Sequence, residues 1–495
     1  MRSIIDPQLQ FSEQDIAAIV LDPKSRDDIP QLLRGLQYIY TTPEVRERVF
    51  AILAEVLPER ADAKGKVSAE TGRPGMAQWK ILVMGVLRLG LNADYDRIHE
   101  LVNQHATIRQ MLGHGDWADE TTYNLQTIKD NLRLFTPEIL DRINQEVVRA
   151  GHQAVKKSPD AGLAGRCDSF VVETDVHFPT DINLLLDAVR KTIETCADLC
   201  QEEGLSDWRQ SAYNIRQFKK SYRRVQQLKR STAKDPAKRA ARQTEIADAH
   251  RAYLEQAEGY LTRARATRFH LDVGCRLPDV LLALLDGYIA HAERQIDQIR
   301  RRVLCGEPIP HAEKVFSIFQ PHTEWISKGK AGVPVELGLR VAVVEDQYRF
   351  ILHHQVMEKV TDDQIAVTLI EDTRARFPNL KSASMDKGFH SPANQIGLAQ
   401  IVELPVVPKK GKCSAAEAAR ESAPEFIRLR RQHPAVESAI NALEIHGLDI
   451  CRDDGIAGFK RYVALAVVAR NVQRLGAILH AQEAARERGP YKRAA

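Results

Sequence analysis

The sequence predicts a helix-rich α/β fold, a mixed sheet flanked by helices and preceded by a helical bundle. Two observations predict it. Short β-branched and aromatic runs recur between long helical patterns in the second two thirds of the chain. One of them, "VELGLRVAVVED", sets Leu337, Leu339, Val341 and Val343 against Gly338, Arg340 and Ala342, a period of two.

The elements follow in order. Residues 1–75 alternate short helical signals with breakers and close on the linker-like "ETGRPGM". Residues 76–155 form a helical DNA-binding domain in this reading. "QWKILVMGVLRLG" is apolar on most faces, as a buried helix is, and "DYDRIHELVNQ" is amphipathic. Such a bundle could hold a helix-turn-helix. The pattern changes at "GRCDSFVVETDVHFPTD", where Phe170, Val171 and Val172 favour a strand and "FPTD" starts a helix with Thr180 or Asp181 as cap. Helix then dominates an insertion over about 182–310. "KVFSIF", "VELGLRVAVVED" and "YRFILHHQVM" read as strands, with "SKGKAG" and "EDQ" as hairpin connections. A helix over 361–377, a strand ending at Asp386, a helix near 392–399 and a helical C-terminal part complete a catalytic domain over 160–480. The polar tail, 481–495, should fray.

A chain of 495 residues that is 44% hydrophobic can bury a large core in two or three domains. Its net charge of +4 gives no global argument for nucleic acid. The local charge does: residues 216–242 carry eleven Lys and Arg against the single acid Asp235. That run is either a solvated helix face or a surface for DNA phosphates, with Lys219, Lys220, Arg223 and Arg224 at its centre. The seven cysteines are scattered and lack a C-x-x-C pair, which suits reduced thiols. Cys196 and Cys200 lie one turn apart without a His or Cys partner nearby, a poor zinc site. No apolar h-region opens the chain and no apolar run approaches membrane-spanning length, so a soluble, cytoplasmic protein is expected.

Three carboxylates stand out. Asp386, in "SASMDKGFHS", ends what reads as a buried strand, where a lone carboxylate is costly unless something positive meets it. A metal ion, a nearby lysine, solvent or a helix N-terminus would each serve. Asp168 sits in the first strand. Glu437 lies beside the apolar stripe of Val436, Ile440 and Leu443 in "HPAVESAINALEIHG", drawn toward the sheet or simply favouring the helix macrodipole.

"CDSFVVETDVHFPTDINLLLDAVR", "SIFQPHTEWISKGKAGVPVELGL", "MDKGFHSP" and "HPAVESAINALEIHGLDICRDDGIAGFKRYVALAVVARNVQRLG" resemble, in that order, DDE transposases of bacterial insertion sequences, in particular the ISNCY ("not classified yet") group. "PKSRDDIPQLLRGLQYIYTTPEVRERVF" is similar to that group's N-terminus, so the resemblance covers nearly the whole chain. It implies a ribonuclease H-like sheet with a long helical insertion after its first strand. It also implies two Mg²⁺ or Mn²⁺ ions held by Asp168, Asp386 and Glu437. Such hard cations prefer carboxylate oxygen. Two of them can activate a nucleophile and stabilise the leaving 3′ oxygen in DNA cleavage and strand transfer. The partners implied are the element's terminal inverted repeats, target DNA and a second copy of the chain or a higher oligomer, with no membrane.

Related families place an Arg one turn before the helix glutamate and a Lys two turns after it. Here those places hold His433 and Glu444, and Arg430, Arg431, Lys387 or Arg461 are left to contact phosphate. Asp175 and Asp181 compete with Asp168 for the first carboxylate. Along one strand Asp168 and Asp175 point to opposite faces. Two other functions share these residues: a nuclease without strand transfer, and a transposase-derived DNA-binding regulator. Retention of all three carboxylates argues against the regulator.

Overall fold

The computed structural model describes residues 3–5, 15–22, 24–56, 75–115, 119–158, 161–229, 235–274, 279–327 and 334–488. The chain divides into two compact units: residues 1–175 with 326–495, and residues 176–325 inserted between them.

The first unit opens with seven helices: α1 (Ile29–Thr41), α2 (Pro43–Leu53), α3 (Gln78–Gly90), α4 (Tyr95–Gln104), α5 (Ala106–Met111), α6 (Leu125–Leu132) and α7 (Pro137–Ala154). Their boundaries are set locally. Pro137 occupies the first turn of α7 and the Thr136 hydroxyl accepts from Ile139 N–H. α3 is buried on nearly every face, as its apolar sequence predicts. Strand β1 (Leu163–Thr174) follows and leads into the inserted unit, whose helices are α8 (Asp181–Glu202), α9 (Ser211–Lys229), α10 (Pro236–Gly274) and α11 (Asp279–Ile299).

After the insertion come β2 (Glu324–Ser327), β3 (Val335–Glu345), β4 (Ile351–Met357), α12 (Asp362–Arg376), β5 (Leu380–Met385), α13 (Pro392–Ile401) and β6 (Leu404–Val406). The chain ends with α14 (Ala415–Glu421), α15 (Pro424–Gln432), α16 (Ala435–Leu443), β7 (Ile450–Cys451) and α17 (Gly455–Arg488). Among the described residues seven strands form one mixed sheet of order β2-β3-β1-β5-β6, with β4 also on β3 and β7 also on β1. β1 is antiparallel to β3 and parallel to β5, and β3 and β4 form an antiparallel hairpin. The hairpin turns where expected, at "EDQ": Asp346 is fully buried and its Oδ1 accepts from the N–H groups of Tyr348 and Phe350.

α17 packs against α1, α3 and α7. Two glycines let its backbone touch that of α1. A Cβ at Gly476 would lie 1.8 Å from Gln31 O, and one at Gly35 would lie 2.3 Å from Val472 O. α17 also corrects the expectation that no apolar run reaches spanning length. It is long and apolar enough by composition, but 72% of its apolar window is buried in the protein. The helices expected as separate N-terminal domains therefore share one core with the sheet.

The inserted unit has its own core, in which Phe218 stacks on Tyr253 at 4.6 Å and Trp208 donates to Thr267 at 2.9 Å. Cys196 and Cys200 are buried in that core, and burial pushes the Cys196 thiol up to about 12.

Several local expectations are corrected. "KVFSIF" is not a strand: the Ser317 hydroxyl accepts from Phe319 and Gln320 N–H and turns the chain instead. The edge strand is the next segment, β2. Residues 481–488 of the expected tail belong to α17, and 489–495 lie outside the described residues. Most of "ETGRPGM" and of "SKGKAG", with Cys275, lies outside the described residues.

Candidate active site

The carboxylates converge because of sheet register. Cys167 on β1 pairs in parallel with Met385 on β5, so the residues that follow, Asp168 and Asp386, stand side by side. Asp168 lies mid-strand opposite Val343 of β3. Asp386 lies just past the end of β5, at the N-terminus of a single 3-10 turn (Lys387–Phe389). The Ser169 N–H donates to Asp168 Oδ1 at 2.8 Å.

A third carboxylate joins them. Asp362 is the first residue of α12, fixed by a capping box in which Thr361 and Gln364 satisfy each other's backbone. Its Oδ1 accepts from the Ser169 hydroxyl at 2.7 Å. A Cβ at Gly388 would lie 3.4 Å from its Oδ2, an ordinary van der Waals contact that places the turn after Asp386 beside it. In sequence, "TDDQ" reads only as a helix start. The one signal for a site residue there is a second acid beside the cap.

The electrostatics record the crowding. Burial, and then the negative charges of Asp386 and Asp362, raise the Asp168 carboxyl to about 6, against relief from the Ser169 N–H and His433. Asp386 moves the other way. His433 and Lys387 hold it below the ordinary carboxylate range, with burial opposing them. His433 Nε2 stands 3.5 Å from Asp386 Oδ1, a long contact that becomes an ion pair only when the imidazole is protonated. Its Nδ1 is 3.2 Å from the Ser384 hydroxyl on β5, which in turn lies 3.3 Å from Gly165 O. His433 is thus anchored to the sheet and faces Asp386.

Glu437 is placed differently. α16 packs on β1 through Val436, Ala439, Ile440 and Leu443, while Glu437 is on its exposed side. Gly447, at φ +108°, closes the segment as its sequence suggests. Asp175 is exposed in the bend after β1, and Asp181 belongs to the inserted unit, paired with Arg302 at 2.7 Å.

The basic candidates divide. Lys387, Arg430 and Arg431 are exposed, with Arg430 3.7 Å from Glu421. Arg461 is engaged with Asp453 at 3.3 Å. On α9, Lys219, Lys220, Arg223 and Arg224 are all exposed and make no ion pair among the described residues, while Phe218 and Val225 bury the opposite face.

Asp168, Asp386 and Asp362 offer carboxylate oxygen, the donor type a hard divalent cation prefers, but they are not gathered into one metal-holding group. Among the described residues no group of three or more His, Cys, Asp or Glu side chains is arranged to hold a metal ion. No protein family, curated protein or solved structure matches this chain.

Proposed function

We propose that the chain is a DDE transposase: it binds the inverted repeats at an element's ends and carries out metal-dependent DNA cleavage and strand transfer. The observation that carries this reading is the parallel register that sets Asp168 beside Asp386. Support also comes from the sheet. The central strand β1 is antiparallel to β3 and parallel to β5 and β7, and a helical unit is inserted directly after that strand. We read this as a ribonuclease H-like arrangement.

In this reading Asp168 and Asp386, with Glu437 as the third ligand, hold two Mg²⁺ or Mn²⁺ ions. Two such ions, if bound there, would supply activation of a water or 3′-hydroxyl and stabilisation of the leaving oxygen. The chain's own residues do the rest. The Ser169 N–H orients Asp168, and His433, held by Ser384, orients Asp386. Lys387, Arg430 and Arg431 meet backbone phosphates near the reacting strand. The exposed cations of α9 add sequence-independent affinity. Two ends must be joined, so two copies of the chain act together, in the cytoplasm on chromosomal DNA.

The test is a supercoiled plasmid carrying candidate element ends taken from the DNA on either side of the gene, incubated with Mg²⁺ and the full chain. Joined products are expected. Nicks alone would make the protein a nuclease without strand transfer, and a mobility shift alone a DNA-binding regulator.

A further inference from the structure

Three arginines of the first compact unit meet where α17 crosses the β3–β4 turn. Arg349 lies in that turn at φ +71°, a left-handed backbone that a long side chain rarely adopts. The turn around it is fixed. Arg349 N–H donates to Asp346 O at 3.1 Å, and Asp346 Oδ1 accepts from the N–H groups of the two flanking residues, Tyr348 and Phe350. α17 supplies the other two cations. Arg470 and Arg474 are four residues apart, so they lie one above the other on a single helix face. Arg474 Nε donates to Tyr348 O at 3.2 Å, which holds its guanidinium against the turn beside Arg349. Arg470 Nη1 donates only to the neutral amide oxygen of Gln473, at 3.2 Å.

The acids nearby are engaged elsewhere. Glu345 pairs with Arg166 at 2.9 Å, Asp346 pairs with His152 at 2.6 Å, and Asp28 Oδ1 accepts from Gln473 at 3.0 Å. Arg349, Arg470 and Arg474 make no ion pair among the described residues. Arg349 is exposed, but Arg470 and Arg474 are half-buried. Burial, and then the charge of a neighbouring arginine, pulls both guanidinium groups below the ordinary arginine range. Like charges gathered in partly desolvated protein cost stability unless an anion meets them.

We propose that Arg349, Arg470 and Arg474 form a binding site for a small phosphate dianion, which bridges α17 to the β3–β4 turn. Guanidinium groups match phosphate oxygens in charge and in hydrogen-bonding geometry. A carboxylate offers one charge on two oxygens, too little for three cations that approach from two elements. A DNA backbone presents single charges strung along a rod and offers this point only one of them. The site is also separate from the candidate active site. Gln347 of the same turn bonds Gly162 O and Ala164 N–H, beside the start of β1 and of β5, whereas Asp386 follows the other end of β5. The inference therefore does not rest on the DNA-processing reading.

The experiment is equilibrium dialysis of the full-length protein against radiolabelled inorganic phosphate at pH 8, in EDTA and at constant ionic strength set with sodium chloride. One phosphate should bind per chain, with a Kd below about 1 mM. Arg349→Asn should weaken binding roughly 10–150-fold, the range carried by one hydrogen bond to a charged group. Asn is suited to the left-handed backbone there and the position is exposed, so this change leaves the core alone. Arg474→Gln should weaken binding to a similar degree. Arg251→Gln, which removes an exposed cation from α10, should leave it within about twofold of wild type. A paired DNA duplex should not displace the phosphate. Absence of saturable binding, or binding that Arg349→Asn and Arg474→Gln leave unchanged, overturns the site. Displacement by duplex DNA also overturns it, since the anion would then be a backbone phosphate.

Discussion

Replacing Asp168 with Asn should stabilise the protein. The carboxyl is raised from 3.8 to about 6 by burial and by the facing charges of Asp386 and Asp362. A folded carboxyl that binds its proton more tightly than the unfolded one contributes stability that is fully present below about pH 4. That contribution is lost as pH rises through about 6. At pH 8 the ionised group therefore costs the fold up to about 3 kcal/mol, two pH units at about 1.4 each. Its partial exposure reduces this to about 1–2 kcal/mol. Asn keeps the acceptor that receives the Ser169 N–H at 2.8 Å and removes only the charge. Urea unfolding in EDTA should show Asp168→Asn more stable by about 1–2 kcal/mol at pH 8, and by roughly half as much at pH 5. Saturating Mg²⁺ should raise the stability of the wild type and not that of the variant, because ligand binding to the folded state alone stabilises it. A variant equal to or less stable than wild type at pH 8 would refute the crowding of carboxylates at this site.

Glu437→Gln should abolish metal-dependent cleavage while end-DNA binding persists, and Glu444→Gln should leave cleavage near normal. If Glu437 only favours the helix macrodipole, its loss costs about 0.3–1 kcal/mol of stability and cleavage survives. Replacing Lys219, Lys220, Arg223 and Arg224 together with Gln should weaken DNA binding and flatten its log–log salt dependence, by about 0.9 for each phosphate no longer neutralised; an unchanged slope makes this face of α9 merely solvated. Asp453→Ala should destabilise the fold by about 3–5 kcal/mol. It strands Arg88, which is 2% exposed, 2.8 Å from Asp453 and 3.8 Å over the Tyr95 ring. Urea unfolding measures it, and a loss below about 1 kcal/mol would mean the ring contacts suffice.

Much of the sheet was legible because its strands carry local signals. β3 shows a period of two, β5 is a short buried run, and α12 begins at a Thr-Asp cap. "KVFSIF" misled because its apolar content suits a strand, while one serine hydroxyl takes the N–H groups that a ladder would need. The placing of β1 beside β5 was not readable from either strand alone. Parallel pairing across an inserted unit leaves no turn in the sequence to fix its register, and only the resemblance put Asp168 and Asp386 in one site. Asp362 stayed hidden for a related reason: a helix-capping segment explains its acids locally, and only the fold brings Ser169 to meet one of them. The close approach of α1 and α17 was equally silent, since a glycine that faces another backbone looks in sequence like any other.

The proposed chemistry requires a divalent cation between β1 and the tip of β5. Iron-directed backbone cleavage tests it most directly, without requiring DNA or activity. With Fe²⁺ in place of Mg²⁺, followed by ascorbate and peroxide, the chain should break near Asp168 and near Asp386, and excess Mg²⁺ should suppress both breaks. A third break near Glu437 or near Asp362 would identify the acid that completes the site. Breaks confined to other segments, or breaks at these two positions that Mg²⁺ leaves unchanged, would contradict the account.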